Sequence, residues 1–261
     1  MPPGMANAPG RCSARFCKFR DPCQQLRRFI KRMSAQTRKI SGKHSTDPNT
    51  INIPPSQSLE RDEQPHKSKN ATAIQSLSCE HRHIETVIKS LHDAVAALNA
   101  RQRLNVQKLQ TVVEFLRVYA DQRHHQREEA LLFPALVKRG VPAQGCPIGG
   151  LNNELEKGRA LVFALDENIT AYEQRPSGAD SAVQKTLQAI IDLYRKHLWM
   201  EDAMVFPMAE KIITETENKE LKEKFADLDR KIGPAVIVRL EQFAGSLSFQ
   251  AGTADFGYGC S

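Results

Sequence analysis

The chain has 261 residues, 40% apolar and 26% charged, which is room for one globular domain of ordinary size plus tails. A net charge of +7 would suit nucleic acid or anionic lipid, but Lys and Arg crowd into the first 45 residues and the remainder mixes both signs, so no folded basic face is expected and nucleic acid is not the expected partner. No apolar run is long enough to cross a membrane, and no apolar stretch follows the positive N-terminus as a secretory signal requires, so a cytoplasmic protein without a membrane partner is expected.

Residues 1–70 are rich in Pro, Ser, Asn and charge and show no long apolar periodicity. They are predicted to form a disordered basic tail, with a short helix near Gln24–Met33 at most. Cys12, Cys17 and Cys23 lie there at spacings that match no zinc motif, so unpaired thiols are expected.

Helical periodicity begins after residue 70. Ile74, Leu77, Ile84, Ile88, Leu91, Val95 and Leu98 step by three and four, and the gap between Leu77 and Ile84 is filled by His81. A second segment, from about Val106 to Lys138, turns Leu109, Val113, Leu116, Ala120, His124, Glu128 and Leu131 to one side. Gly and Pro break it at Arg139–Gly150. A third runs from about Leu151 to Gln174 with Leu151, Leu155, Gly158, Val162, Leu165, Ile169 and Tyr172 in step, and a loop at Arg175–Asp180 is expected after it. The fourth, from about Ser181 to Ile213, aligns Leu187, Ile190, Tyr194, His197, Glu201, Val205, Met208 and Ile212. A fifth stretch near Lys219–Lys231 is broken at Gly233-Pro234 before a last short helix. The fold class expected is all-α, an up-down-up-down four-helix bundle with an extra C-terminal helix, spanning residues 71–240 and followed by a flexible tail at 241–261.

The second and fourth helices repeat one another. HHQREEALLFP (His124–Pro134) aligns without a gap on HLWMEDAMVFP (His197–Pro207), with His, Glu, Ala, Phe and Pro coinciding and Glu129 opposite Asp202. Each half offers a His and a Glu four residues apart, hence on one helix face about 5–6 Å apart at Cβ. Three histidines and two glutamates at core positions of three helices would cost several kcal/mol to bury without a shared partner. A common metal removes that cost, and imidazole with carboxylate suits iron, manganese or zinc rather than copper(I). Trp199, Met200, Met204 and Met208 are expected as core filler.

EHRHIETVI (Glu80–Ile88), the HHxxEExxLFP stretch and HxxxEDxxxFPMA (His197–Ala209) resemble the signatures of hemerythrin-like (HHE cation-binding) domains over roughly residues 74–213. The resemblance implies a four-helix bundle with a di-iron site: His81 from the first helix, His124 and Glu128 from the second, His197 and Glu201 from the fourth, with the two carboxylates bridging. It also implies a third-helix His, and Leu155 stands at that position. One iron instead of two, with the position near His197 the weaker, is therefore expected. His125 is a further candidate ligand, since relatives often carry a second His there. The function implied is a non-haem iron protein that binds or senses a small diatomic gas, dioxygen or nitric oxide, or peroxide. The alternatives are an iron-donating repair protein for damaged iron–sulfur or di-iron centres, whose relatives carry adjacent N-terminal cysteines unlike those here, and an interaction module that has lost its metal.

Because the apolar periodicity starts after residue 70, deleting residues 1–70 is expected to leave the melting temperature within a few degrees. A large drop, or loss of soluble protein, would show that the tail packs on the bundle.

Overall fold

The computed structural model describes residues 71–174 and 176–249; the N-terminal tail, its three cysteines and the short helix expected near Gln24–Met33 lie outside them. Among the described residues all regular structure is helical, and no helix is long and apolar enough to cross a membrane.

Helix α1 (Ala73–Asn99) opens on a reciprocal cap: the Thr72 hydroxyl accepts the Gln75 N–H and the Gln75 side chain accepts the Thr72 N–H. The second long helix is composite. It starts as α2 (Val106–Glu114), widens into a π-helical segment π1 (Phe115–His125), widens again as π2 (Glu128–Leu132) and closes as α3 (Phe133–Lys138). The third is α4 (Ile148–Gln174). The fourth is α5 (Pro176–Met200), π3 (Glu201–Val205) and α6 (Phe206–Ile212). Packing of α1 on α5, α2 on α4, α4 on α5 and π1 on α1 makes the up-down-up-down four-helix bundle.

The repeated Phe-Pro accounts for two of the π segments. Pro134 and Pro207 lack an N–H, and each ring would clash with the carbonyl four residues earlier. The chain relieves this by opening the preceding turn: the N–H of Phe133 donates to the carbonyl of Glu128, and that of Phe206 to Glu201, five residues back in both cases.

Three expectations need correction. The loop placed at Arg175–Asp180 is mostly helix, because Pro176 can open α5 at its first position, where its missing N–H is no loss. Trp199 is 62% exposed and fills no core. The C-terminal region is helical beyond residue 240: α7 (Glu215–Ile232), capped reciprocally by Thr214 and Glu217, turns at Gly233, whose φ of 100° favours glycine, into α8 (Pro234–Ser246). Ile237, Leu240, Ala244, Leu247 and Phe249 join the same apolar core as α1, π1 and α5. The Ala73 N–H donates to Asn218, and the Ser90 hydroxyl to the Leu247 carbonyl, so this pair of helices is tied to α1 along its length.

One buried polar contact anchors the connection between the first two long helices: the Leu104 N–H donates to the Tyr172 hydroxyl at 2.9 Å, and both residues are buried. Tyr172→Phe keeps the ring but leaves that amide without an acceptor, so chemical denaturation should show a loss of about 1–3 kcal/mol.

Candidate metal centre

Each ligand-type side chain is delivered by a periodic core position. His81 comes from the middle of α1, His124 and Glu128 from π1 and π2, His197 from the end of α5 and Glu201 from the start of π3, and all five are buried. One ligand atom from each of His81, His124, Glu128 and Glu201 lies within 4.8 Å of the others. The Nε2 atoms of His81 and His124 face each other at 3.0 Å, and His81 Nε2 lies 3.2 Å from Glu201. Two nitrogens each about 2.1 Å from one ion and roughly 90° apart have this same separation of about 3.0 Å. His197 stands at the other end, its Nε2 3.2 Å from the second oxygen of Glu201. Glu201 thus reaches both ends of the cluster, and Glu128 lies 3.6 Å from His124 Nε2.

His125 is buried too, with its ring centre 5.2 Å from that of His197. On a regular α-helix a residue next to His124 would turn about 100° away from the seam. The wider π turn brings consecutive residues nearer in angle, so both imidazoles face inward.

All four imidazoles share one arrangement, Nδ1 toward a carboxylate. His81 Nδ1 donates to Asp202 at 2.9 Å and His124 Nδ1 to Glu80 at 3.0 Å. His125 Nδ1 lies 3.6 Å from Asp121, and His197 Nδ1 3.4 Å from Glu154. For His81 and His124 that contact is a hydrogen bond, which fixes the ring plane and turns Nε2 inward as in metal-ligating histidines, whereas for His125 and His197 it is an ion-pair distance and Nδ1 of His197 has no hydrogen-bond partner. Sequence reasoning missed these four acids. Two could have been found from it, since Glu80 adjoins His81 and Asp202 adjoins Glu201 in the repeat.

The electrostatics are those of a crowded dry site. Burial, with Glu201 alongside, holds the Glu128 carboxyl well above the usual carboxylate range, whereas His197 and His81 pull Glu201 below it against its own burial. The two carboxyls titrate as a pair, with the neutral form favoured at Glu128 and the charged form at Glu201. Burial lowers His124 and His125. It opposes the charged form of His81 as well, but Asp202 and Glu201 overcome it and raise that imidazole to about 9. Glu80 is pushed up to about 7 by burial against the pull of Arg127 and Arg123.

The donor set fits a metal ion. Both oxygens of Glu128 and of Glu201, and Nε2 of His197 and of His125, are buried without any hydrogen-bond partner. Uncompensated groups of this kind are rare in folded proteins, and a cation among them would satisfy all of them together. Leu155 is buried at the expected third-helix position and offers no lone pair. Beside it a cavity of about 220 Å³ is walled by Leu116, Val162, Tyr194, Gly158 and Leu155, with His125 at its inner side. A smaller void shares His125, Leu155 and Gly158 and reaches His197.

These bare carboxylates have a cost that can be measured. Glu128→Leu removes one of them for a side chain of similar volume, and replacing a buried polar group that lacks hydrogen-bond partners by an apolar one of like shape is stabilising by about 1–3 kcal/mol. The metal-free variant is expected to melt above the metal-free parent and to lose the rise in melting temperature that added Fe(II) gives the parent. A lower melting point without metal would mean that Glu128 is held by contacts other than a cation.

Comparison with known proteins agrees with this geometry. An uncharacterized protein of Mycobacterium bovis and another of Mycobacterium tuberculosis are each 24% identical to the chain over 175 residues, covering 67% of it and 68% of their own length. No solved structure matches the chain. The profile of the hemerythrin HHE cation binding domain matches residues 72–209, more than half of the sequence and the whole of the four-helix bundle up to Ala209. The chain belongs to the hemerythrin HHE cation-binding domain family.

Proposed function

We propose that this protein is a non-haem iron protein whose centre binds or senses dioxygen, nitric oxide or peroxide. The observation that carries this reading is the set of bare, buried imidazole nitrogens and carboxylate oxygens on His197, His125, Glu128 and Glu201, beside a cavity large enough for a small molecule. His81, His124 and Glu128 would hold one ion, and His197 and Glu201 would hold a second. Bound iron supplies a redox-active Lewis-acid centre that a diatomic ligand or peroxide can reach.

The protein's own residues do the remaining work. Hydrogen bonds from Nδ1 to Asp202 and Glu80 hold the His81 and His124 rings with Nε2 inward, and Asp121 and Glu154 lie near Nδ1 of His125 and His197. Leu116, Leu155, Val162 and Tyr194 give the approach an apolar side, and Arg117, Asp121 and Arg159 line the same cavity with charge. In the half that lacks the third-helix His, His125 takes the empty imidazole place. It carries the same carboxylate contact as the three other histidines and packs edge-to-face against His197.

The two-fold relation between the halves gives the test its sharpest form. Glu80 faces His124 as Glu154 faces His197, and Asp202 faces His81. By the same relation Glu129 would face an imidazole at position 155. With Leu155 there, Glu129 instead accepts from Arg159 at 2.6 Å. Leu155→His should therefore raise iron content from about one toward two per chain, and Glu129→Ala on that background should cancel the gain. His125→Phe in the parent should weaken the second position further.

After anaerobic loading with Fe(II), nitric oxide, dioxygen and peroxide should be added separately and optical and spin-resonance spectra recorded. A response to at least one of them is expected. Parent protein that takes up no iron would favour the metal-free interaction module. Iron that ignores all three but passes quickly to an iron-free acceptor protein would favour the donor role.

A further inference from the structure

All the candidate ligands fall within the matched residues 72–209, yet the chain adds α7 and α8 beyond them. Their inner side meets π1 through charged groups rather than apolar contact alone. Arg127, 2% exposed, donates to Glu80 with one guanidinium nitrogen and to Asp229 of α7 with the other, and that second nitrogen also donates to the Phe225 carbonyl at 3.2 Å. Its guanidinium lies 4.8 Å from the centre of the Phe225 ring. Arg123 adds a second bridge, to Asp229 at 2.9 Å and to Glu241 of α8 at 3.2 Å. The same Glu80 uses its other oxygen to accept from His124 Nδ1.

We propose that α7 and α8 position the metal ligand His124 through the chain Asp229–Arg127–Glu80, so that docking of this helix pair sets the affinity of the His81–His124 end for its ion. The inference rests on the reading of His124 as a ligand. The internal symmetry supplies the contrast that supports it. Glu154, the counterpart of Glu80, is held by Lys196, a side chain 67% exposed on a flexible stem. Arg127 has a planar fork that fixes two carboxylates at once, the buried Glu80 and the half-buried Asp229, whereas an exposed Lys pair is weakly held. One half of the centre is thus braced by the C-terminal helices and the other is not. Coupling of this kind is reciprocal, so an ion at His124 must also favour the docked position of α7.

Asp229→Asn keeps the shape of the side chain and removes the charge that fixes Arg127; Asp229→Glu keeps the charge. In the full-length protein, competition with a chromophoric chelator should show Fe(II) affinity reduced about 10–100-fold in the Asn variant, with the Glu variant recovering most of it. In the metal-free proteins, nitrogen NMR should find the His124 proton on Nδ1 in the parent and Glu variant and shared between the two ring nitrogens in the Asn variant. A third measurement needs no substitution: adding Fe(II) to the parent should slow amide hydrogen exchange across Glu215–Ile232. An Asn variant that binds iron like the parent, or keeps the His124 proton on Nδ1, overturns the proposal, as does exchange in α7 that ignores iron while the four long helices respond. If the parent binds no iron, the functional reading falls, and the His124 proton still decides whether the helix pair positions that ring.

Discussion

Two carboxylates sit at the centre of this bundle with none of their oxygens exposed to water or hydrogen-bonded to protein. Much of the surrounding structure can be understood as a response to that constraint. A carboxyl group in such a place either keeps a proton or finds a cation. The centre leans toward both: burial and Glu201 push the Glu128 carboxyl up, toward its neutral form, and Glu201 leans on the imidazoles of His81 and His197. Neither solution uses all the lone pairs, so the arrangement is stable only because thirty buried apolar residues of the main core carry it. A protein shaped for stability alone would place Leu or Met at these positions. The polar cluster therefore belongs to function, and the surrounding core supplies the stability that it does not.

The backbone is bent to the same end. π turns occur where ligands lie and are otherwise rare. Here Phe115–His125, Glu128–Leu132 and Glu201–Val205 together contain four of the six candidate ligands, His124, His125, Glu128 and Glu201, and the other two, His81 and His197, sit in regular helix. The Phe-Pro pairs act twice. Each proline forces the preceding turn open, and the Phe206 ring packs 4.9 Å from that of His81. The carbonyls of Glu128 and Glu201 accept the five-residue bonds, so the residues whose side chains face the centre also mark the start of each widened turn.

This separates what could be read in the sequence from what could not. The helices were legible because burial on one side of a bundle imposes a period, and His81, His124, Glu128, His197 and Glu201 were legible because they fall on that period in place of apolar residues. The inward turn of His125 was hidden, since a regular helical wheel points it away and only the π geometry brings it back. The acids behind the imidazoles were harder still. Asp121 and Glu154 lie off the apolar series, and what selects them is their distance in space from a ring nitrogen. Arg127 was least legible of all: a buried arginine between two helices far apart in sequence looks, in one dimension, like any charge on an exposed face.

The internal repeat explains why the two ends of the centre differ. A bundle made of two similar halves starts with equal sites, and each half here still has its His-x-x-x-Glu and an acid against the His. Two changes break the equality. Leu155 stands where the repeat would put an imidazole, Glu129 accepts from Arg159 instead, and a cavity lies beside Leu155 and His125. Arg127 and the C-terminal helices brace the other half, where His81 and His124 lie closest together. One end brings two imidazole nitrogens within 3.0 Å of each other; the other lies next to the cavity, with His125 beside His197. On the proposed reading, a small molecule entering through the cavity would meet the His125–His197 end first, and the end braced by Arg127 would hold its ion away from that route. That division of labour follows from one lost imidazole and one buried guanidinium, neither of which alters the four-helix frame.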